Sequence, residues 1–454
     1  MNTSTTSGKN NVKIALFFKN SRVVNVDASK PELGNPGFGG RQFMNLNIAY
    51  HIASLTDTNI KPTLYCEEQG ELPQNIHTVV CGDLFQSMTH AKKNNIDIFI
   101  LDASLNYKVM DKLINYAETL DLNIIIRLGL IPSSEILKLM SRSNSVKGVV
   151  CVEQFVFELI RDHPVFEKAT VLTNGVPVQA YGQPFNIDQR KKNVIYLGSL
   201  VPQKGFDKLA RVWKKIVTRV PDAQLLVCGL GTLYGADNKL GEWGVASENY
   251  ESKSIRPYLS DTNGRLMKSV RFLGNLGHEK NTYLKEALVG VANPTGLTET
   301  FCISAVEIQA AGTAVIAGAK DGLFDTVDDG KTGILVKNQN ELSENIIYLL
   351  ENAELAVDMG RAGYIYTNDK YDLSKIAGAW HVFINNLLAS GSIIKPTQKK
   401  YTGNYALKFV SLNSKMKKIL GSPFWWPSYM DFTSKVRMPV AVAINKLKKK
   451  IKSY

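Results

Sequence analysis

Residues 289–312 read VGVANPTGLTETFCISAVEIQAAG, and this stretch predicts a strand, a loop and a helix in succession. The apolar run 289–292 is typical of a short buried strand, which the following Asn-Pro pair ends. A helix is then expected from about Ser304 to Gly312, since glycine is common just after helix C-termini. Because a helix N-terminus carries unpaired N–H groups and positive partial charge, the loop predicts an anion site, particularly for phosphate.

Two carboxylates lie eight positions apart in the same stretch. Glu299 falls in the loop and Glu307 in the expected helix, so both flank the predicted phosphate site as acceptors for hydroxyl groups. Phosphate beside a polyol describes a nucleotide-sugar. The alternative interpretation is structural, with one acid at the helix start and the other in a buried pair.

Short apolar runs alternate with helical periodicities through most of the chain, which predicts parallel sheets covered by helices. The first series of expected strands is 12–18, 95–101, 122–128, 148–151 and 169–172, with helices at 107–119 and 134–140. The second series is 193–198, 224–228, 270–273, 289–292, 314–317 and 333–336, with helices at 341–351 and 373–389. A polar linker between the two series predicts two α/β domains.

The expected boundaries follow from these patterns. They are a disordered start at 1–11, a first domain at 12–182, a second at 183–372 with an insertion at about 234–266, a helix at 373–390 and a tail at 391–454.

Composition and charge limit the function classes. The 454 residues are 44% hydrophobic and carry a net charge of +13, but residues 391–454 hold 14 Lys/Arg and one acid, so the rest is neutral. That distribution argues against nucleic-acid binding through the body. Five scattered cysteines predict neither disulfides nor zinc. With no apolar leader or spanning run, a cytoplasmic protein is expected.

The tail has a pattern of its own. Lysines precede Trp425 and Trp426, and the apolar residues Val440, Ile444 and Leu447 recur at helical spacing among further lysines. Basic amphipathic helices with interfacial tryptophans predict a peripheral contact with an anionic membrane surface. A disordered basic tail, or a tail that docks on another protein, remains open.

Several landmarks occur in a fixed order. They are Gly39-Gly40, Asn174-Gly175-Val176, Tyr196-Leu197-Gly198-Ser199-Leu200, Lys204-Gly205, Arg271-Phe272-Leu273-Gly274, the pair Glu299 and Glu307, and Asp329-Gly330-Lys331-Thr332-Gly333. Over about 12–390, this ordered set resembles glycosyltransferase family 4 (group 1), the retaining enzymes of the GT-B fold. The resemblance implies two Rossmann-like domains facing across a cleft, an N-terminal acceptor domain, a C-terminal nucleotide-sugar domain, and a helix at 373–390 that crosses back.

The resemblance also implies roles for residues. Glu299 contacts the sugar hydroxyls, Glu307 the ribose, and Lys204 the diphosphate. The diphosphate also lies at the backbone amides of Cys302, Ile303 and Ser304. The glycines of residues 34–40, which include Gly39 and Gly40, themselves predict a loop at the mouth of a cleft that touches an acceptor or a phosphate, with a flexible turn as the alternative. No metal and no cofactor are expected. The partners are a nucleotide-diphosphate sugar, most simply a UDP-sugar, and a glycan or lipid-linked acceptor; oligomeric state is not predicted.

Three positions depart from the family pattern. Ser199 stands where the family often has arginine, Cys302 where glycine is usual, and Arg127 about where a histidine is often found. Arg127 is a candidate for binding an anionic acceptor or the diphosphate, with a structural ion pair as the alternative. The expected function is a retaining hexosyltransferase of surface polysaccharide or glycoconjugate synthesis. The alternatives are a non-catalytic partner subunit, a soluble transferase for protein or small acceptors and, less favoured, a nucleotide-sugar epimerase.

Overall fold

The computed structural model describes residues 11–182, 186–231, 239–294, 299–399, 401, 404–420 and 426–433. These residues form two parallel sheets, each covered by helices. The first sheet has the order β3-β2-β1-β4-β5-β6-β7. Its strands are β1 (Val12–Phe18), β2 (Ile60–Cys66), β3 (His77–Val80), β4 (Ile98–Asp102), β5 (Ile124–Leu128), β6 (Val146–Cys151) and β7 (Ala169–Val171).

The second sheet has the order β10-β9-β8-β11-β12-β13 and is also parallel throughout. Its strands are β8 (Lys191–Leu197), β9 (Gln224–Cys228), β10 (Val270–Gly274), β11 (Ala287–Ala292), β12 (Ala314–Gly318) and β13 (Gly333–Val336). Two parallel sheets of this kind are the GT-B arrangement that the motifs predicted. In each sheet the strand order reverses once, beside β1 and beside β8, and ligands of such sheets bind beyond the strand ends at that point.

Helices connect the strands and cover both sheets. The first sheet carries α1 (Gly40–Ala53), α2 (Leu84–Lys93), α3 (Tyr107–Thr119), α4 (Ser134–Arg142) and α5 (Gln154–Leu159). The second carries α6 (Phe206–Arg219), α7 (Glu248–Ser254), α8 (Arg256–Leu259), α9 (Lys280–Glu286), α10 (Ile303–Ala310), α11 (Leu323–Thr326), α12 (Gln339–Glu351) and α13 (Ala353–Lys370). After them come α14 (Leu373–Ser390), α15 (Tyr405–Ile419) and α16 (Tyr429–Phe432).

The prediction of strands was accurate where apolar runs are uninterrupted. The strands at 12–18, 224–228 and 333–336 have the predicted bounds. The prediction omitted β2 and β3 altogether. β2 contains Pro62, which argues against a strand by lacking an N–H group, and β3 is only four residues long. Both are held by pairing with a neighbouring strand.

Helix α14 returns to the first domain and packs against α1. Its Asn385 exchanges side-chain hydrogen bonds with Asn59, and Nε2 of His381 lies 3.0 Å from Oδ1 of Asn59. Trp380 is fully buried in the same apolar core as β1. Helix α14, which follows the second domain, therefore connects that domain to the first.

The segment after α14 differs from the expected tail. Residues 391–399 run along the first domain, α15 packs on α5, and α16 packs on α4. Asp431, the lone acid of the segment, accepts a 2.6 Å hydrogen bond from Ser134 and forms an ion pair with Lys138. Trp426, expected at a membrane interface, donates instead to Asn413 at 2.9 Å. The contacts of Asp431, and that of Asn413 with Asp162, attach the extension to the first domain. The helix predicted around 440–451 lies outside the described residues.

Within the described ranges, no helix combines the length and the apolar character needed to cross a membrane.

Candidate functional site

The reversal of strand order in the second sheet brings two loops together. β8 and β11 are hydrogen-bonded neighbours, and both strands end at the same edge. Lys204 follows β8, in the turn before α6, and Glu299 follows β11, before α10. Because parallel neighbours at the reversal send their helices to opposite faces, a crevice opens between these two loops.

Lys204 and Glu299 form an ion pair in this crevice. The Nζ atom of Lys204 lies 2.5 Å from Oε2 of Glu299, and Nδ2 of Asn293 donates to the same oxygen at 2.8 Å. The Lys204 loop is fixed by Tyr196, whose hydroxyl donates to the Lys204 carbonyl at 2.9 Å. Gly205, at φ +72°, provides the left-handed turn into α6. The structure thus brings together two residues predicted to act on one substrate.

Helix α10 begins at this crevice. Ile303 and Ser304 are half-buried and form its first turn, where backbone amides have no acceptor within the helix. The helix sits very close to β11, because a Cβ at Gly290 would lie 2.4 Å from a methyl of Ile308. The sequence placed this helix start correctly, to within one residue.

Cys302 immediately precedes α10. Its carbonyl accepts hydrogen bonds from Ala305 and Val306 in the first turn of the helix. Its thiol is buried in the apolar core, and burial raises the pKa of that thiol to about 12. The backbone conformation, with φ −88°, is open to any residue. Cys302 therefore adds a buried thiol to the core, and the geometry does not require glycine there.

Glu307 lies one turn into α10 and is buried with two partners. Its Oε1 accepts from the Tyr181 hydroxyl at 2.9 Å and lies 3.3 Å from Nζ of Lys280. Lys280 is itself buried and donates to the carbonyl of Asn35 at 2.6 Å. Because both partners use Oε1, a hydroxyl group can donate to Oε2. Glu307 is therefore in a buried pair, as the structural interpretation expected, and its role as an acceptor for ribose hydroxyls stays a prediction.

The glycine-rich loop of the first domain faces this site. Asn275 Nδ2 donates to the carbonyl of Gly37 at 3.2 Å, and Lys280 holds Asn35. A Cβ at Gly40 would lie 3.1 Å from the Cδ1 atom of Ile303. Gly39 precedes α1, at its N-terminus. Glycines here therefore let the N-terminal end of α1 approach that of α10.

Ser199 and Arg127 occupy less accessible positions. Ser199 is buried behind the Lys204 loop, and its carbonyl lies 3.4 Å from the Tyr196 hydroxyl. Arg127, at the end of β5, is 2% exposed, and its Nη2 lies 3.1 Å from Oδ1 of Asp102. Asn45 donates to the other oxygen of Asp102 at 2.9 Å. The geometry agrees with the ion-pair interpretation of Arg127, and its catalytic role stays a prediction.

Glu153 lies between the two domains. It precedes α5 of the first domain, and its Oε2 would be 2.1 Å from a Cβ at Gly322 of the second. Neither of its oxygens accepts a hydrogen bond from any residue in the described part of the chain. Burial raises the pKa of this carboxyl well above its usual range, and the nearby charges of Asp325 and Glu299 add to that shift.

The sequence missed four contributors to the site: Tyr181, Lys280, Asn293 and Glu153. Lys280 follows Gly-His-Glu, which is typical of a surface turn, and Glu153 resembles an ordinary acid before a helix. Asn293 has a positive φ of 39°, which is uncommon outside glycine, and the Asn-Pro pair was the available signal for it.

Comparison with known families matches the second domain. Residues 179–366 match the family described as glycosyl transferases group 1. A phosphatidyl-myo-inositol mannosyltransferase of Mycobacterium tuberculosis is 30% identical over 238 residues, which are 50% of this chain and 56% of that protein. A GDP-mannose-dependent monoacylated alpha-(1-6)-phosphatidylinositol monomannoside mannosyltransferase of Corynebacterium glutamicum is 32% identical over 220 residues, 44% of this chain and 51% of that protein. The chain spans about half the length of these curated relatives.

Solved structures share the fold over more of the chain. A glycosyltransferase from Rickettsia africae has a TM-score of 0.62 at 15% identity, covering 85% of this chain and all of that one. The sucrose-phosphate synthase of Thermosynechococcus elongatus has a TM-score of 0.61 at 16% identity, covering 84% of this chain and all of that one. HepE of Anabaena, solved with UDP and glucose, has a TM-score of 0.59 at 15% identity, covering 83% of this chain and all of that one. At these identities the likeness establishes the two-domain fold.

Proposed function

We infer that the whole protein transfers a hexose-type sugar from a nucleotide-diphosphate donor to an acceptor hydroxyl. The match of residues 179–366 to the group 1 glycosyl transferases supports this inference. The observation that carries the proposal is the Lys204–Glu299 ion pair in the crevice where α10 begins. A cation, a carboxylate and a helix N-terminus meet there, which suits one ligand bearing both phosphate and hydroxyl groups.

In this proposal the donor diphosphate lies at the first turn of α10. The amides of Ile303 and Ser304 donate to its oxygens, and Lys204 turns from Glu299 to the diphosphate. As the bond from the sugar to the diphosphate breaks, negative charge grows on the leaving phosphate. Fixed N–H groups and one ammonium stabilise that charge more in the transition state than in the bound donor, which is the condition for catalysis.

The two carboxylates divide the rest of the donor between them. Glu299, released from Lys204, accepts hydrogen bonds from the sugar hydroxyls and orients the ring. Glu307, held at Oε1 by Tyr181 and Lys280, accepts the ribose hydroxyls at Oε2. With the acceptor hydroxyl attacking from the face that the phosphate leaves, the anomeric configuration is retained.

The names of the sequence relatives support a particular acceptor class. Two of them are mannosyltransferases of phosphatidylinositol-based lipids, which favours mannose as the sugar and a lipid-linked acceptor. The expectation of a UDP-sugar competes with GDP-mannose, which one relative's name specifies. We place the reaction in cytoplasmic glycoconjugate synthesis, at or near a membrane surface.

A thermal-stability screen tests this function. The full chain is heated with UDP-glucose, UDP-N-acetylglucosamine and GDP-mannose in turn, since a ligand at 100 times its dissociation constant adds about 2.7 kcal/mol to stability. One of these donors is expected to raise the melting temperature of the wild type, and Glu307→Gln is expected to weaken its binding about tenfold or more. Glu344→Gln, on the exposed face of α12, is the matched control. Stabilisation by none of the three would favour a non-catalytic subunit.

A further inference from the structure

We propose that the outer face of α15, formed by Tyr405, Phe409, Leu412, Met416 and Ile419, is a surface that lies against an anionic membrane. All five side chains are exposed, with Leu412 at 61% and Ile419 at 82%. They follow one another at spacings of four, three, four and three residues, so they form a continuous stripe along the helix. A soluble helix normally turns such a stripe toward its own core, but α15 turns it to solvent.

The opposite side of α15 is fixed to the first domain. Leu407 and Val410 are buried there, and Asn413 donates to Asp162 at 2.7 Å. Lys417 donates to the carbonyl of Asp162 at 2.6 Å. Because this inner side supplies the packing, exposure of the outer face is a property of the folded domain. The helix presents two apolar sides, and the fold uses only one of them.

The charges around the outer face indicate the occupant. Lys408 and Lys415 are exposed and lie three or four positions from residues of the stripe, so they are beside it on the helix. Lys418 is exposed at the end of the helix, and α15 contains no acidic residue. The only acid after residue 390, Asp431, is paired with Lys138. A surface that is apolar at its centre and basic at its flank fits the boundary between acyl chains and anionic headgroups.

The same charges argue against two other occupants. A second copy of the chain would bring an identical basic flank against this one, and like charges repel. Residues 434–454 contain seven Lys/Arg and no acid, so this segment would meet the same repulsion if it covered the stripe. The anionic membrane is therefore the occupant with complementary charge.

Flotation of the full chain with vesicles tests the surface. Vesicles of phosphatidylcholine alone are compared with vesicles that also contain phosphatidylglycerol. The double variant Lys415→Gln/Lys418→Gln is expected to bind anionic vesicles about 25-fold more weakly, since each lysine near an anionic leaflet contributes about 1 kcal/mol, or about fivefold. The double variant Leu412→Gln/Ile419→Gln is expected to lose at least as much affinity.

Matched controls separate the surface from general effects. Ile365→Gln, at an exposed apolar position of α13, and Lys214→Gln, at an exposed position of α6, are expected to bind vesicles as the wild type does. Leu447→Gln/Ile451→Gln tests the predicted helix around 440–451 separately. Melting temperatures show whether each variant folds, and donor binding in solution should be unchanged in every variant.

Three results would overturn the proposal. Wild-type binding by the α15 variants would do so directly, as would a loss confined to the Leu447→Gln/Ile451→Gln variant. The third is a dimer in analytical ultracentrifugation that Leu412→Gln/Ile419→Gln dissociates without vesicles, which would assign the outer face to a second copy. Since these readouts need no sugar transfer, failure of the proposed function would leave them informative.

Discussion

The two domains present charged pairs at the ends of their strands, and the pairs differ in what they leave accessible. At the donor edge, formed by Lys204, Glu299 and the start of α10, the lysine of the ion pair is 29% exposed and the glutamate 10%. At the acceptor edge, formed by Arg127, Asp102 and Asn45, the guanidinium is almost fully buried. Thr300 joins the edges by donating to the carbonyl of Gly129 at 2.7 Å.

The difference teaches that position at a strand end does not by itself assign a role. Lys204 can exchange Glu299 for a phosphate because water already reaches both side chains. Arg127 cannot be reached in this arrangement, although Nε and Nη1 of its guanidinium lack a hydrogen-bond acceptor among the described residues. We therefore expect the donor edge to govern catalysis and the acceptor edge to govern stability, and three experiments can break or sharpen that division.

The largest effect is expected at Lys204. Lys204→Met removes the ammonium that stabilises the leaving phosphate, so the rate of sugar transfer should fall by about a hundred- to a thousandfold. Steady-state rates with the donor found by the stability screen measure the change. Lys208→Met, a partly exposed lysine on α6, is the control and should stay close to wild type. A loss of less than about tenfold for Lys204→Met would remove Lys204 from the mechanism.

A smaller effect is expected at Arg127, and on stability. Arg127→Met leaves Asp102, whose side chain is only 14% exposed, without its cation, so the free energy of unfolding measured with urea should fall by about 3 kcal/mol. Donor affinity should stay near the wild-type value. Arg127→Met/Asp102→Leu should recover most of the loss, because no charge is then left without a partner. If stability is instead unchanged while donor affinity falls, Arg127 is a ligand of the donor and the division between the edges is wrong.

The smallest effect is expected at Glu153, between the edges. Its pKa is raised in the folded protein from an ordinary value of 4.5, so folding takes up a proton above that pH and wild-type stability falls as pH rises. Glu153→Gln removes this cost. Its melting temperature should match wild type near pH 4 and exceed it by about 2–4 °C at pH 8.

Thermal unfolding across this pH range gives the measurement for Glu153→Gln. Glu135→Gln, at an exposed position of α4, should show no such trend. A variant less stable than wild type at pH 8 would mean that ionised Glu153 stabilises the contact between the domains.

The donor edge could be predicted in large part from the sequence because its features are local. Each of Lys204, Glu299 and Glu307 lies in a loop or helix directly after an apolar strand. The strand, the loop and the helix can all be recognised within a short continuous segment of sequence. The partners were not predictable in this way. Tyr181 is 126 residues from Glu307, and Lys280 reaches the carbonyl of Asn35 across 245 residues. Neither has a local pattern, since an isolated tyrosine or lysine is ordinary in any helix or turn.

The contacts of the extension after α14 were also not predictable from local sequence. Its composition showed a basic segment but gave no information about where that segment would pack. Only folding revealed that Asp431 binds Lys138 of the first domain, that Trp426 binds Asn413 of α15, and that α15 keeps an apolar face exposed. Burial of a polar side chain depends on which partner the rest of the chain brings near. Amphipathic periodicity alone does not determine whether the apolar stripe of a helix faces the core or the solvent.

By itself, the sequence determined the two α/β domains, the order of their motifs, the start of α10 and the two carboxylates beside it. These depend on backbone preferences and apolar periodicity, which act over a few residues. The tertiary structure decided that Glu307 is held by Tyr181 and Lys280, that Arg127 is enclosed with Asp102, and that Glu153 lies unpartnered between domains among the described residues. Those outcomes depend on desolvation and on charges brought together from distant positions, and both exist only once the chain has folded.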